Sequence, residues 1–220
     1  MNLYNQNLDY LCEQQNISIT EFENIIYIPK VRIVDPTPNE LLKISEYFNL
    51  SVDILLKKDL RIRNKEVIKS IQLIVLDVDG TMTDGGMYYT ENGDQFKKYN
   101  TKDGLAIKRL SKSGMKFGII SHGYKLKVIQ DRAELLGIEN IYVGQEDKLS
   151  VLNQWCKALG ISLEQVAYVG DDINDLSVMQ AVGFSACPAD AMDEIKTIAS
   201  VILTKVGGGG CIREFLDDWF

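Results

Sequence analysis

Four short polar clusters in this chain carry residue types suited to phosphoryl transfer. They are Asp77-Val78-Asp79-Gly80-Thr81, Ser121, Asp147-Lys148 and Gly170-Asp171-Asp172-Ile173-Asn174-Asp175. A carboxylate can attack phosphorus and form an aspartyl-phosphate. Two anions then meet, so a cation must offset their repulsion. Mg²⁺ suits the task because it favours hard oxygen ligands and keeps several waters. Asp77 and Asp171 can supply carboxylates to it, and Asp79 its backbone carbonyl. The Asp79 side chain is then free to act as general acid and base, a role worth ~10²–10⁴-fold in rate. Ser121 can hydrogen-bond a phosphate oxygen, and Lys148 can neutralise one. Asp77, Asp79, Asp171, Asp172 and Asp175 gathered at one edge would repel strongly without a metal.

The clusters gain meaning from what precedes them. Each of the first, second and fourth directly follows a short, mostly apolar run, at 71–76, 116–120 and 166–169, and the third follows a weaker run at 141–143. A further run lies at 201–204. Between the runs lie amphipathic stretches, such as 126–136 with Val128, Ile129, Ala133 and Leu136 at helical spacing. Buried strands alternating with helices predict an α/β fold, a Rossmann-like doubly wound parallel sheet. Ligands of such sheets bind at the carboxyl ends of the strands, where these four clusters fall.

Composition narrows the setting. The chain has 220 residues and a net charge of −7, which opposes nucleic acid or an anionic membrane as main partner. Its four cysteines, Cys12, Cys156, Cys187 and Cys211, lack metal-ligand or redox spacing. No apolar run reaches the ~18 residues of a membrane span, and the N-terminus lacks the pattern of a secretory signal. These features read as a cytoplasmic protein with reduced thiols.

The four clusters match the motifs of the haloacid dehalogenase superfamily. Four stretches narrow the resemblance: 83–89 (Thr-Asp-Gly-Gly-Met-Tyr-Tyr), 97–104 (Lys-Lys-Tyr-Asn-Thr-Lys-Asp-Gly), 167–175 and 207–215 (Gly-Gly-Gly-Gly-Cys-Ile-Arg-Glu-Phe). Residues 69–220 resemble the 3-deoxy-D-manno-octulosonate 8-phosphate phosphatase family, with its relatives acting on nine-carbon 2-keto sugar acid 9-phosphates. The resemblance implies Asp77 as nucleophile and metal ligand, Asp79 as acid/base and backbone ligand, and Asp171 as the remaining ligand. It implies that Asp172, Asn174 and Asp175 support the metal's waters and Lys148. It places substrate contacts in Asn100, Thr101, Lys102, Asp103 and Gly104, and at Lys108 and Arg132. In the family, Thr-Gly-Arg or Thr-Gly-Glu follows the second strand. Here Ser121-His122-Gly123-Tyr124 stands there, with His122 an extra residue and Gly123 and Tyr124 at the sugar-contacting positions.

No cap insertion fits between the motifs, so an uncapped fold is expected. Instead, 87–99 reads as a hairpin around Glu91-Asn92-Gly93-Asp94, because Asn-Gly is a strong hairpin-turn signal. In the family that hairpin reaches a neighbouring subunit of a tetramer. The glycines at 207–210 either fold over the site or form a flexible linker before the last helix.

Residues 1–60 read as a small all-α domain, followed by a linker at 61–68. Residues 11–22 and 36–56 resemble the two halves of Cro/repressor-type helix-turn-helix domains. The span between them is shorter than in that family, at the place of the DNA-reading helix. Residues 1–66 carry eight Lys/Arg against ten Asp/Glu, which favours packing or assembly over DNA binding. The expectation is a magnesium-dependent phosphatase for a 2-keto-3-deoxy sugar acid phosphate, either octulosonate 8-phosphate or a nonulosonate 9-phosphate. Its rivals are a phosphatase for another sugar phosphate, and a DNA-binding regulator that senses one. The partners expected are the sugar acid phosphate and further copies of the chain in a homotetramer.

Overall fold

A computed structural model of the chain describes residues 2–48, 50, 52–57, 59–60, 66–93, 95–123 and 126–220. Two compact units emerge, Met1–Lys65 and Glu66–Phe220. Among the described residues no helix is long and apolar enough to cross a membrane.

The first unit contains α1 (Leu3–Gln14), α2 (Ile19–Ile26), α3 (Lys30–Val34), α4 (Pro38–Tyr47) and α5 (Val52–Lys57). Ser18 and Glu21 form a reciprocal cap that starts α2, the Ser18 hydroxyl accepting from Glu21 N–H at 3.1 Å. Tyr4, Leu8, Cys12, Phe22, Ile33, Ile44 and Leu55 close a core of their own. Asn7 is buried at its edge, donating to the Leu55 carbonyl at 2.9 Å and accepting from Leu60 N–H at 2.9 Å. Between the two stretches that resemble helix-turn-helix halves lies the five-residue α3.

The second unit opens with α6 (Glu66–Ser70), so residues 66–68, read as linker, are helical. A six-stranded sheet follows in the order β5 (Asn140–Val143), β4 (Lys116–Ser121), β1 (Leu73–Leu76), β6 (Val166–Val169), β7 (Phe184–Cys187), β8 (Val201–Ile202). Every neighbouring pair is parallel. This is the doubly wound α/β architecture expected from the alternation of apolar runs and amphipathic stretches. Strand β1 is central and fully buried because Leu73, Ile74, Val75 and Leu76 face helices on both sides. The chain runs from β1 outward to β4 and β5, then returns beside β1 with β6. That reversal puts a crevice at the carboxyl ends of β1 and β6.

The connecting helices are α7 (Thr101–Lys112), α8 (Leu126–Leu136), α9 (Lys148–Leu159), α10 (Leu176–Ala181), α11 (Asp193–Ile198) and α12 (Cys211–Trp219). Gly118 on β4 lets α9 lie close: a Cβ there would sit 2.6 Å from the Trp155 ring. Helix α12 buries Ile212, Phe215, Leu216 and Trp219, a stripe at helical spacing, with Phe215 stacked on Phe184 at 5.7 Å. The hairpin is β2 (Tyr88–Tyr89) paired antiparallel with β3 (Gln95–Phe96). It is shorter than expected, with a further bridge between Thr83 and Tyr99.

Candidate active site

The crevice is built from the ends of three strands. After β1 the chain makes a wide turn in which Asp77 N–H donates to Val169 O at 2.9 Å, tying the first acid to β6. Gly80 takes φ +85°, and a Cβ there would lie 2.1 Å from Asp171 Oδ2, so only glycine lets the two acidic loops approach. Thr81 donates its hydroxyl to Asp171 Oδ1 at 2.8 Å.

At the start of α9 sits Lys148, with no exposed surface. Its ammonium donates to Asp77 Oδ1 and Asp175 Oδ1, both at 2.6 Å. Burial disfavours that charge, but the two carboxylates overcome it and hold the ammonium above its ordinary range. Both oxygens of Asp175 are engaged. Oδ1 also accepts from Tyr168 OH at 2.7 Å, and Oδ2 from the Asp171 and Asp172 amides at 3.0 and 3.3 Å.

Asp77, Asp171 and Asp175 each bring one oxygen within 4.8 Å of the others. Burial, then the charge of Asp175, push the Asp77 carboxyl up against the pull of Lys148. Burial likewise pushes Asp171 up to about 7, against the hydrogen bond from Thr81. Crowded, half-desolvated oxygens of this kind are a donor set that a hard divalent cation stabilises. Asp77 and Asp171 could hold one, whereas both oxygens of Asp175 already accept from Lys148, Tyr168 and two amides.

A haloacid dehalogenase-like hydrolase model matches residues 136–215, which include Lys148 and the Asp171–Asp175 loop. The 3-deoxy-D-manno-octulosonate 8-phosphate phosphatase KdsC of Escherichia coli K12 is 37% identical over 171 residues, 78% of this chain and 85% of that protein. The chain belongs to this phosphatase family. Solved structures agree. The Moraxella catarrhalis 3-deoxy-D-manno-octulosonate 8-phosphate phosphatase, crystallised with magnesium ion, phosphate ion and KDO, superimposes with a TM-score of 0.68 at 35% identity, covering 71% of this chain and 88% of that one. The cobalt-bound Haemophilus influenzae enzyme gives 0.66 at 33% identity, covering 69% and 88%. Membership makes the chain a phosphoric monoester hydrolase with the α/β fold of the haloacid dehalogenase-like enzymes.

Other residues singled out in the sequence occupy more varied places in this phosphatase. Ser121 ends β4, buried, its hydroxyl accepting from Gly123 N–H at 3.1 Å. Tyr124 lies outside the described residues. His122 bridges two loops, through Nε2 to Glu146 O at 2.9 Å and Nδ1 to Asn174 Nδ2 at 3.5 Å. Asp172 caps the turn at 173–175, accepting from Ile173 N–H at 2.7 Å.

Asn100 caps α7, accepting from Lys102 N–H at 2.9 Å and donating to Gly208 O at 3.1 Å. Asp103 is buried, with Oδ1 accepting from Arg213 N–H at 2.7 Å. Burial pushes its carboxyl up to about 6, against that hydrogen bond. Arg132 lies over the Tyr99 ring and donates to Asn100 O at 3.3 Å, close enough that a Cβ on Gly104 would meet its Nη2 at 2.4 Å. Thr101, Gly104, Lys108 and Arg132 line an open cavity of about 270 Å³ with Leu105 and Leu136, and none of the acidic cluster borders it.

The glycine stretch is packed. Gly208 N–H donates to Thr81 O at 3.0 Å and Cys211 Sγ lies 3.3 Å from the same oxygen. A Cβ on Gly207 would be 1.8 Å from Gly80 O. Sequence reading passed over Thr81, Tyr168 and Lys97 as site residues. Thr81 was visible inside its motif. Lys97, whose ammonium pairs with Asp79 Oδ1, had only its place in the 97–104 stretch as a signal.

Proposed function

We propose that the chain is a magnesium-dependent phosphatase that hydrolyses a 2-keto-3-deoxy sugar acid phosphate, octulosonate 8-phosphate or a nonulosonate 9-phosphate, through an aspartyl-phosphate on Asp77. The observation that carries this reading is the buried Lys148 ammonium, shared by Asp77 and Asp175 at 2.6 Å beside Asp171. That arrangement supports the reading of Asp77 as nucleophile, Lys148 as a fixed cation to meet the phosphate, and Asp171 as a second carboxylate for a metal.

In the proposed first step the Asp77 carboxylate attacks phosphorus, the bond to the sugar oxygen breaks, and that oxygen takes a proton from Asp79. In the second, water attacks the aspartyl-phosphate, gives a proton to Asp79, and frees Asp77 and inorganic phosphate. Lys148 and the Ser121 hydroxyl hold phosphate oxygens through both steps. Asp175 fixes Lys148. Asp77, Asp171 and the Asp79 carbonyl would hold the magnesium. When bound, the ion supplies positive charge that offsets repulsion between nucleophile and phosphate.

The substrate class is supported by what the relatives are named for. The Escherichia coli protein is an octulosonate 8-phosphate phosphatase, and the Moraxella enzyme was crystallised with the sugar acid, phosphate and magnesium. We read the substrate contacts at 100–104, Lys108, Gly123, Tyr124 and Arg132, as the resemblance implies. We read residues 1–60 as a packing or assembly module, residues 69–220 as the catalytic domain, and the protein as a cytoplasmic homotetramer. Phosphate release from a panel of sugar acid phosphates, with and without magnesium, tests the reading. Turnover of the octulosonate or nonulosonate esters above that of simple hexose phosphates is the expected result. Equal rates across the panel would remove the sugar acid assignment.

A further inference from the structure

Lys97 stands at the base of the hairpin, just after β3. The pairs Tyr88–Phe96 and Thr83–Tyr99 bracket it, so residues 84–87 on one limb face Lys97 and Lys98 on the other. The two lysines point opposite ways, as alternation along an extended segment requires. Lys98 is 71% exposed in its side chain and pairs with Asp84 Oδ2 at 3.0 Å. The Lys97 side chain is 3% exposed, and its ammonium ends on Oδ1 of Asp79, whose own side chain is 36% exposed.

Such a pair adds little stability, because desolvating an ammonium offsets most of the attraction. What it does provide is direction. Asp79 lies in the turn after β1, and a carboxyl there has torsional freedom unless a partner holds it. We infer that Lys97 is a positioning residue of the reaction, holding Asp79 Oδ1 so that Oδ2 exchanges protons with the leaving oxygen and with water. The inference rests on the reading of Asp79 as acid and base. An ammonium N–H finds an acceptor in Oδ1 in both protonation states, since the carbonyl oxygen of a carboxylic acid still accepts. One contact therefore serves both half-reactions. The hairpin then does more than project from the domain: its base carries a fixed cation into the crevice.

The test compares leaving groups in the full-length chain with magnesium. An alkyl ester such as 3-deoxy-D-manno-octulosonate 8-phosphate needs a proton on its departing oxygen, whereas p-nitrophenyl phosphate does not. Lys97→Met keeps the buried stem and removes the donor. It should lower kcat/KM for the alkyl ester about 10- to 100-fold and for the aryl ester less than about 3-fold, with KM little changed. Lys97→Arg should recover most of the alkyl activity. If Lys97→Met does not fold, Lys97→Gln, with a neutral donor, should show the same selectivity at smaller size. Equal losses on both esters, or a loss confined to KM, would overturn the inference. Asp79→Asn measured alongside separates the two levels. No selective loss in Asp79→Asn removes the acid/base reading itself. Selective loss there without any in the Lys97 variants removes only the role given to Lys97.

Discussion

Asp77 and Asp171 face each other across loops held together by Gly80, Thr81 and Lys148, and single substitutions should expose their separate tasks. Asp77→Asn should abolish turnover, since an amide is neither an attacking anion nor a good metal ligand. Asp79→Asn should cost ~10²–10⁴-fold or more, read as kcat/KM on the alkyl ester. Chelation should stop phosphate release, and added magnesium should restore it. Metal-free turnover or an active Asp77→Asn enzyme would remove the mechanism. Asp103 offers a different test, because burial raises its carboxyl to about 6. A folded state that prefers the protonated acid loses that advantage as pH rises through about 6. Asp103→Asn should therefore gain stability relative to the parent between pH 4 and 7, by up to about 3 kcal/mol, in denaturant melts at each pH. A pH-independent difference would mean the carboxyl is not shifted. At this scale the motif acids were legible because each lies at or shortly after the end of an apolar run. Lys97 was not, since nothing local says which way a lysine at the base of a hairpin points.

Among the elements, the glycine stretch before α12 does the most to shape the site's rim. Gly207 sits where any Cβ would collide with the Gly80 carbonyl, 1.8 Å away. Gly207→Ala must push this stretch off the loop that carries Asp79. It should destabilise the phosphatase unit by about 1–3 kcal/mol in a denaturant titration, and lower activity beyond that loss. Full activity would show that the stretch is a passive connection. Sequence left two readings of these glycines open, a cover and a linker. The contacts to Thr81 and Asn100 that make it a packed strap lie more than a hundred residues away. Strand β7 also escaped notice. Phe184-Ser185-Ala186-Cys187 is short and made largely of small residues, and its neighbours β6 and β8 supply the pairing that defines it. Strands β1, β4 and β6 were plain, because burial on both faces demands unbroken apolar runs.

For the whole molecule, the two units each close their own core, so they should be separable. A chain lacking residues 1–65 should fold and keep its kcat on p-nitrophenyl phosphate, while changing in assembly or melting temperature. Loss of folding would show that the units depend on one another. Light scattering of the intact chain should give a tetramer, and a fully active monomer would contradict that expectation. A titration on mixed duplex DNA at physiological salt should find no sub-micromolar binding, given the acidic N-terminal part.

By itself the sequence determined the α/β class, the strand ends that carry Asp77, Ser121 and Asp171, and the phosphatase family. The family follows from the resemblance its motifs carry, and the first two follow from local pattern: an apolar run dictates a buried strand, and the polar residue after it must emerge at the sheet's edge. Tertiary structure alone decided which groups meet. Lys148 reaches Asp77 and Asp175, Tyr168 reaches Asp175, Lys97 reaches Asp79, and Gly207 packs on Gly80. Of these only Tyr168 and Asp175 lie close in the chain. Lys97 meets Asp79 because the antiparallel hairpin folds back beside the turn after β1. The remaining pairs meet because parallel strands and their crossovers bring distant loops to one edge, a result of topology that no local window contains.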